Sequence, residues 1–113
     1  MENLVYNSND TSVVESSRID KKFEFLPNWF LDKKNYSIYN DTKLFFLTKK
    51  ELLFFTMLLE YRIVTYPEMQ NYVWLKEENV TQNALLSFVK NFKKKIPAKI
   101  LKNIYGVGYM LIK

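Results

Sequence analysis

The 113-residue chain contains no cysteine and no histidine. Without cysteine it can form neither a disulfide framework nor a zinc–thiolate site, which fits a reducing cytoplasm. Without histidine it lacks the usual catalytic base, the common catalytic triads and every imidazole metal ligand. We therefore expect a cytoplasmic protein that is not an enzyme and that needs neither a cofactor nor a metal.

Long apolar runs are missing as well. No segment approaches the roughly 20 apolar residues that a membrane-spanning helix needs, and the N-terminus does not have the pattern of a signal peptide. The hydrophobic content of 48% and the aromatic content of 17% nevertheless exclude wholesale disorder. The length fits one domain with a real core. Because there is no long apolar run, we expect no membrane partner.

Acidic residues are absent from the last third of the chain. Between Asn79 and Lys113 there is no Asp or Glu, although this segment contains seven lysines. The formal net charge of the whole chain is only +5, so the remainder is slightly acidic. An ordinary solvated surface mixes both signs, whereas this sequence separates them.

Residues 80–96 have the spacing of an amphipathic helix. Thr81 can cap its start and Pro97 cannot continue it. Its polar face carries amides, which recognise base edges, and ammonium groups, which neutralise phosphates. The apolar stripe comprises Leu85, Phe88, Val89, Phe92 and Ile96, and the polar face with its flanks comprises Asn83, Leu86, Ser87, Lys90, Asn91, Lys93 and Lys94.

The chain before this helix divides into four parts. Residues 1–22 are polar and mixed in charge, which is typical of a linker or flexible tail. From Phe23 to Leu47, β-favouring runs alternate with Asn/Asp/Lys turns and predict an antiparallel meander of three or four strands. Two capping boxes, Thr48–Glu51 and Thr65–Glu68, then open helices that end near Tyr61 and Trp74. The first is apolar nearly all round, which predicts burial on two sides.

A hairpin follows Pro97. Residues 101–105 and 109–112 form two short apolar runs around Gly106 and Gly108, the only glycines of the chain. We expect both glycines at a tight tip that requires positive φ. The fold class is therefore α+β, with an N-terminal antiparallel meander, three helices and a C-terminal β-hairpin over residues 23–113.

Four short patterns occur in a characteristic order: Leu47–Glu51, Val73-Trp74, Phe92–Ile96 and Tyr105–Tyr109. In this order, over residues 23–113, they resemble the OmpR/PhoB-type winged-helix domain, the DNA-binding output domain of many bacterial response regulators. The resemblance implies a transcription regulator of a two-component system. Its helix-turn-helix would place residues 81–96 in the major groove of duplex DNA and the wing, residues 101–112, at the minor groove. The implied DNA-binding residues are Asn83, Ser87, Lys90, Asn91, Lys93, Lys94, Lys102, Asn103 and Tyr105.

The resemblance also implies further partners. The loop formed by Leu75, Lys76, Glu77 and Glu78 corresponds to the segment with which the family touches RNA polymerase. Members often bind direct repeats as head-to-tail pairs. They also often carry a receiver domain, whose acidic pocket this sequence does not offer, so the chain is either an excised output domain or a stand-alone protein.

Three positions depart from the family pattern. Tyr105 stands where an Arg is common, which predicts a weaker or aromatic minor-groove contact unless the ring packs inward. Lysine and asparagine replace most arginines of the recognition helix, which removes bidentate contacts to guanine. Phe88 replaces a polar residue, and either packs inward or meets a thymine methyl group.

Three other functions are compatible with parts of this pattern. A winged helix can serve as a protein-interaction module without binding DNA, but a mixed-charge third helix would then be expected. A membrane-surface role is disfavoured because the core needs the apolar stripe. Glu77 and Glu78 lack the third ligand of a metal site, and loop solvation explains them.

Overall fold

A computed structural model of the chain describes residues 22–75, 80–97 and 99–112, which form two compact units, one ending at Leu44 and one beginning at Phe45. The N-terminal strands are β1 (Lys22–Leu26), β2 (Trp29–Asp32), β3 (Ser37–Tyr39) and β4 (Leu44–Phe46). There follow α1 (Lys49–Tyr61), β5 (Ile63–Thr65), α2 (Tyr66–Glu68), a π-helical segment (Met69–Val73), α3 (Gln82–Lys93), β6 (Leu101–Ile104) and β7 (Gly108–Leu111).

The predicted meander is confirmed with four strands in the order β1-β2-β3-β4. Asp32 anchors its β2–β3 turn by accepting hydrogen bonds from the Asn35 amide at 2.9 Å and from the Lys34 backbone N–H at 3.1 Å. Burial acts to raise the pKa of Asp32, but the bonds from Asn35 and Lys34 and the charge of Lys22 outweigh it and hold that pKa below its ordinary value. Of the predicted tail, residues 1–21 lie outside the described part of the chain. Lys22 belongs instead to β1, where it pairs with Asp32.

Helix α1 begins at the predicted capping box. The Thr48 hydroxyl accepts from the Glu51 N–H at 3.1 Å, and the Glu51 carboxylate accepts from the Thr48 N–H at 2.8 Å. The predicted burial on two sides is wrong, because the buried residues share one face of the helix while Leu53 is 37% exposed. That face consists of Glu51, Phe54, Phe55 and Leu58.

The second capping box is also confirmed, since Thr65 and Glu68 bond reciprocally at 3.2 and 2.8 Å. The helix it opens is not one regular α-helix as predicted. It widens into a π-helical segment in which the Trp74 N–H bonds to the Met69 carbonyl at 3.2 Å, five residues back. Met69, Val73 and Trp74 are all buried.

The hairpin is part of a three-stranded sheet in the order β5-β7-β6. The sequence pattern does not indicate that β5 adds a third strand to the predicted hairpin. Gly106 has φ +75°, as predicted for the tip. Gly108 does not, and the reason for glycine there is space: a Cβ would lie 2.1 Å from the Val64 carbonyl oxygen.

Candidate nucleic-acid interface

Helix α3 is capped as predicted but is shorter than predicted. The Thr81 hydroxyl accepts from the Ala84 N–H at 3.0 Å. The helix ends at Lys93 rather than Ile96, because the Lys95 N–H bonds to the Phe92 carbonyl only three residues back, at 2.9 Å. This tighter turn ends the α-helical ladder and redirects the last residues of the predicted helix.

The inner face of α3 is fixed by aromatic packing within the second unit. Leu85, Val89 and Phe92 are buried, and Ile96 is buried beyond the helix end. The Phe92 ring lies 5.5 Å from that of Phe54, in an edge-to-face arrangement. The apolar stripe predicted for this helix is therefore confirmed.

Phe88 completes this packing. Its ring centroid lies 4.9 Å from that of Trp74 and 5.6 Å from that of Phe54, both edge-on. Of the two predicted roles, the structure supports the inward one, since Phe88 is half-buried and its ring packs against Trp74 and Phe54. Trp74 joins the end of the π-helical segment to α3 in this way.

The outer face of α3 and its C-cap present the six polar residues of this helix that were predicted to contact DNA. These side chains are exposed, and Leu86 is exposed beside them at 45%. Residues 79–113 contain no carboxylate, so α3 itself supplies no group that neutralises its ammonium groups. The exposed predicted residues are Asn83, Ser87, Lys90, Asn91, Lys93 and, at the C-cap, Lys94.

Lys95 differs from its two neighbours. Its ammonium group donates to Glu51 Oε1 at 2.8 Å and to the Phe46 carbonyl oxygen at 2.9 Å. The Glu51 side chain is only 5% exposed, and the same oxygen also accepts the Thr48 N–H. Lys95 therefore ties the end of α3 to the start of α1. The sequence pattern does not indicate this pair, because the two residues are 44 positions apart.

The wing shows its three predicted residues at the surface. Lys102, Asn103 and Tyr105 are exposed, and Tyr105 reaches 97%, which rules out the alternative that its ring packs inward. Asn103 has a partner that the sequence did not suggest: its Oδ1 accepts from the Tyr66 hydroxyl at 2.8 Å. This bond links the wing to the start of α2 and directs the amide nitrogen of Asn103 away from Tyr66.

The base of the wing is held by strand β5 and by the residue before it. The Leu111 N–H donates to the Arg62 carbonyl at 2.8 Å, and Arg62 Nε donates to the Leu111 carbonyl at 3.2 Å. Next to these backbone contacts, the Tyr109 ring packs edge-on against the rings of Phe54 and Tyr66. Burial raises the pKa of the Tyr109 hydroxyl, and the neighbouring Tyr66 raises it further.

The predicted polymerase-contact loop is described only at its first residue. Leu75 is 61% exposed and adopts φ +57°, so the chain turns sharply there. Lys76, Glu77 and Glu78 lie outside the described residues, and the role assigned to this loop stays a prediction.

Two carboxylates of the second unit line a groove away from α3. A groove of about 560 Å³ lies between α1 and the π-helical segment, with Glu60 and Glu68 among its lining residues and Leu53 and Tyr72 on its walls. No residue of α3 is among those that line this groove. Among the residues that the structure describes, no helix is long and apolar enough to cross a membrane.

Comparison with solved structures identifies the fold. DrrB from Thermotoga maritima, an OmpR/PhoB homologue, superimposes with a TM-score of 0.68 at 23% identity over 88% of this chain and 48% of its own. The DNA-binding domain of AdeR, solved in complex with an intercistronic region, matches with a TM-score of 0.63 at 24% identity over 82% of this chain and 99% of its own. The C-terminal domain of the nisin resistance regulator NsrR matches with a TM-score of 0.60 at 21% identity over 74% of this chain and 90% of its own.

These neighbours are a response regulator that is an OmpR/PhoB homologue and two domains of other response regulators, and this chain has the winged-helix fold that they share. The chain spans about half the length of DrrB. No family model matches the chain, and no curated protein matches it either. The winged-helix prediction, with its meander, three helices and C-terminal hairpin, is confirmed.

Proposed function

We propose that this chain binds duplex DNA as the output domain of a transcription regulator, with α3 in the major groove and the β6–β7 wing at the adjacent minor groove. The observation that carries the proposal is the exposed outer face of α3, which combines amides and ammonium groups with no carboxylate. The major groove admits an α-helix of this size, and phosphates on both sides attract its lysines.

The fold supports the same conclusion. One structural neighbour, the AdeR domain, was solved in complex with DNA. The match covers 99% of that domain. The predicted contact residues of this chain occupy α3 and the wing, the two elements that a winged helix uses for the two grooves. An interaction module without DNA binding remains the alternative function, and the unmixed charge of α3 disfavours it.

A salt titration tests the electrostatic basis of this function. Six phosphate contacts would give a slope of about −5 in log K against log salt, because each neutralised phosphate releases condensed counterions. Fluorescence anisotropy of a labelled duplex measures this slope directly. A slope near zero would overturn the proposal.

A matched pair of lysine variants locates the surface. Lys94→Ala removes an exposed ammonium group at the C-cap of α3 and should weaken binding to all duplexes alike, with a slope reduced by about one ion. Lys33→Ala removes an equally exposed lysine from the β2–β3 turn and should leave the slope unchanged. Equal effects of the two substitutions would mean that binding is not localised to α3.

The regulatory context belongs to the same proposal. We infer that the domain acts with a receiver domain, that Leu75–Glu78 contacts RNA polymerase, and that two copies bind direct repeats head to tail. These partners follow from the resemblance to OmpR/PhoB-type regulators. Gel-shift assays on one repeat and on two repeats test the pairing, since cooperative binding is expected only on the second duplex.

A further inference from the structure

Leu86 is an apolar side chain in the middle of the proposed DNA-binding surface. It is 45% exposed, whereas the residues that attach α3 to the core are buried or half-buried. On a helix, Leu86 is next to Asn83 one turn before it and Lys90 one turn after it. Its methyl groups therefore lie among the polar groups and not with the core.

The base-contacting groups of this surface favour one kind of base pair. An asparagine amide pairs in a bidentate manner with the N6 and N7 atoms of adenine, and an exposed apolar side chain fits against the C5-methyl group of thymine. Asn83 and Asn91 supply the amides, and Leu86 supplies the apolar contact. One helical turn rises about 5.4 Å, between one and two base-pair steps, so neighbouring side chains reach neighbouring base pairs.

The groups that select guanine are nearly absent. Arginine provides the commonest specific contact to guanine O6 and N7, and α3 contains none. An acidic side chain would accept from the amino group of cytosine, and α3 contains none of these either. Lys90, at the centre of the face, can still contact a guanine, because lysine donates to the same O6 and N7 acceptors as arginine.

We propose that α3 recognises an A·T-rich half-site, in which Leu86 lies against a thymine methyl group and the amides of Asn83 and Asn91 pair with adenines. A guanine occurs at most opposite Lys90. This inference rests on the proposed DNA-binding function and adds the class of sequence that the surface takes. Leu86 thereby becomes a specificity-determining residue, which the sequence pattern alone had placed only at the flank of the polar face.

The first experiment is a binding-site selection from random duplexes with the complete 113-residue chain. The enriched half-site should be dominated by A·T pairs in its major-groove core. In the best duplex, each thymine is then replaced singly by deoxyuridine, which deletes one methyl group and leaves base pairing intact. At one thymine per half-site the affinity should fall about fourfold, the effect expected for one buried methyl group.

Two variants assign that effect to Leu86. Leu86→Ala should bind the thymine and deoxyuridine duplexes equally well at that position, with an unchanged melting temperature because the side chain is exposed. Leu53→Ala truncates a leucine of similar exposure on α1 and should keep the discrimination. In neither variant do we expect a stronger preference for adenine at the base pairs assigned to Asn83 and Asn91.

The outcomes separate this inference from the function on which it rests. A G·C-rich selected motif would overturn the A·T half-site, and a duplex insensitive to deoxyuridine at every thymine, or discrimination that survives Leu86→Ala, would overturn the contact between Leu86 and thymine. If salt-dependent duplex binding persists in those cases, the proposed function stands. Absence of binding to every duplex would overturn both.

Discussion

Helix α3 and the wing carry the two parts of the proposed DNA interface, but different forces hold them in place. The helix is held by side chains, since Phe92 and Phe88 pack edge-on against Phe54 and Trp74. The wing depends in addition on close backbone pairing, because β7 pairs with β5 at a distance that admits only glycine at position 108. Removing an aromatic ring from the core should therefore destabilise the helix. Adding a methyl group at Gly108 should destabilise the wing.

The largest effect is expected from Phe92→Ala. Phe92 is fully buried and contacts both Phe54 and Phe55, so its truncation should lower the free energy of unfolding by about 3–5 kcal/mol. A circular-dichroism melt measures the loss. Asn91→Ala, at the neighbouring exposed position, should stay within about 0.5 kcal/mol of the parent. An unchanged midpoint for Phe92→Ala would mean that the inner face of α3 is assigned wrongly.

The wing is tested by adding a methyl group at each of its glycines. Gly108→Ala places Cβ against the backbone of Val64 and Thr65, which cannot rotate away, and we expect a cost of about 3 kcal/mol. Gly106→Ala meets no atom within 4 Å and suffers only from its positive φ, at about 1 kcal/mol. Urea unfolding of both variants should rank them in this order. The reverse order would show that conformation and not strand spacing governs the wing.

A smaller effect is expected from the charged pair that ties the end of α3 to the start of α1, because this contact involves no aromatic packing. Lys95→Met leaves the buried Glu51 carboxylate without its ammonium partner and should lower stability by about 1–2 kcal/mol, reduced because Lys95 is 26% exposed. Lys94→Met should leave stability unchanged and weaken DNA binding instead. Thermal melts and anisotropy on the same two proteins distinguish these roles. Equal melting temperatures would contradict the assignment of Lys95.

The smallest effect concerns Tyr105, at the tip of the wing. Tyr105 is 97% exposed, so Tyr105→Arg and Tyr105→Ala should both leave the melting temperature unchanged. A cation is favoured by the negative potential of a narrow minor groove, so Tyr105→Arg should tighten binding, most on A·T-rich flanks, and steepen the salt dependence by about one ion. Tyr105→Ala should weaken binding modestly without altering the selected major-groove motif. Unchanged affinity in both variants would exclude the tip from the interface.

The sequence was most informative where neighbouring residues determine structure. Both capping boxes, the Thr81 cap and the apolar stripe of α3 were predicted, because each depends on residues within a turn or two of one another. The exposure of the polar residues of α3 follows from the same helical period. The four short patterns in their characteristic order predicted the winged-helix fold through their resemblance to a known family.

The features that the sequence did not reveal depend on residues brought together by folding. The pairing of β5 with β7, the Glu51–Lys95 ion pair and the Tyr66–Asn103 bond each join segments that are far apart in the chain. The π-helical widening before Trp74 leaves the apolar pattern unchanged, so periodicity does not detect it. The need for glycine at position 108 arises from a neighbouring strand and not from a turn.

The Glu51–Lys95 pair also bears on the order in which the domain folds. The bond between Glu51 and Thr48 spans three residues, whereas the bond to Lys95 spans 44. Contacts close in sequence form at small entropic cost, and distant ones form only after the intervening loop has closed. We expect Glu51 to cap α1 early and to engage Lys95 after the folding transition state. Loss of Lys95 should therefore accelerate unfolding and leave the refolding rate nearly unchanged, so this lysine lengthens the lifetime of the folded domain without helping it to form.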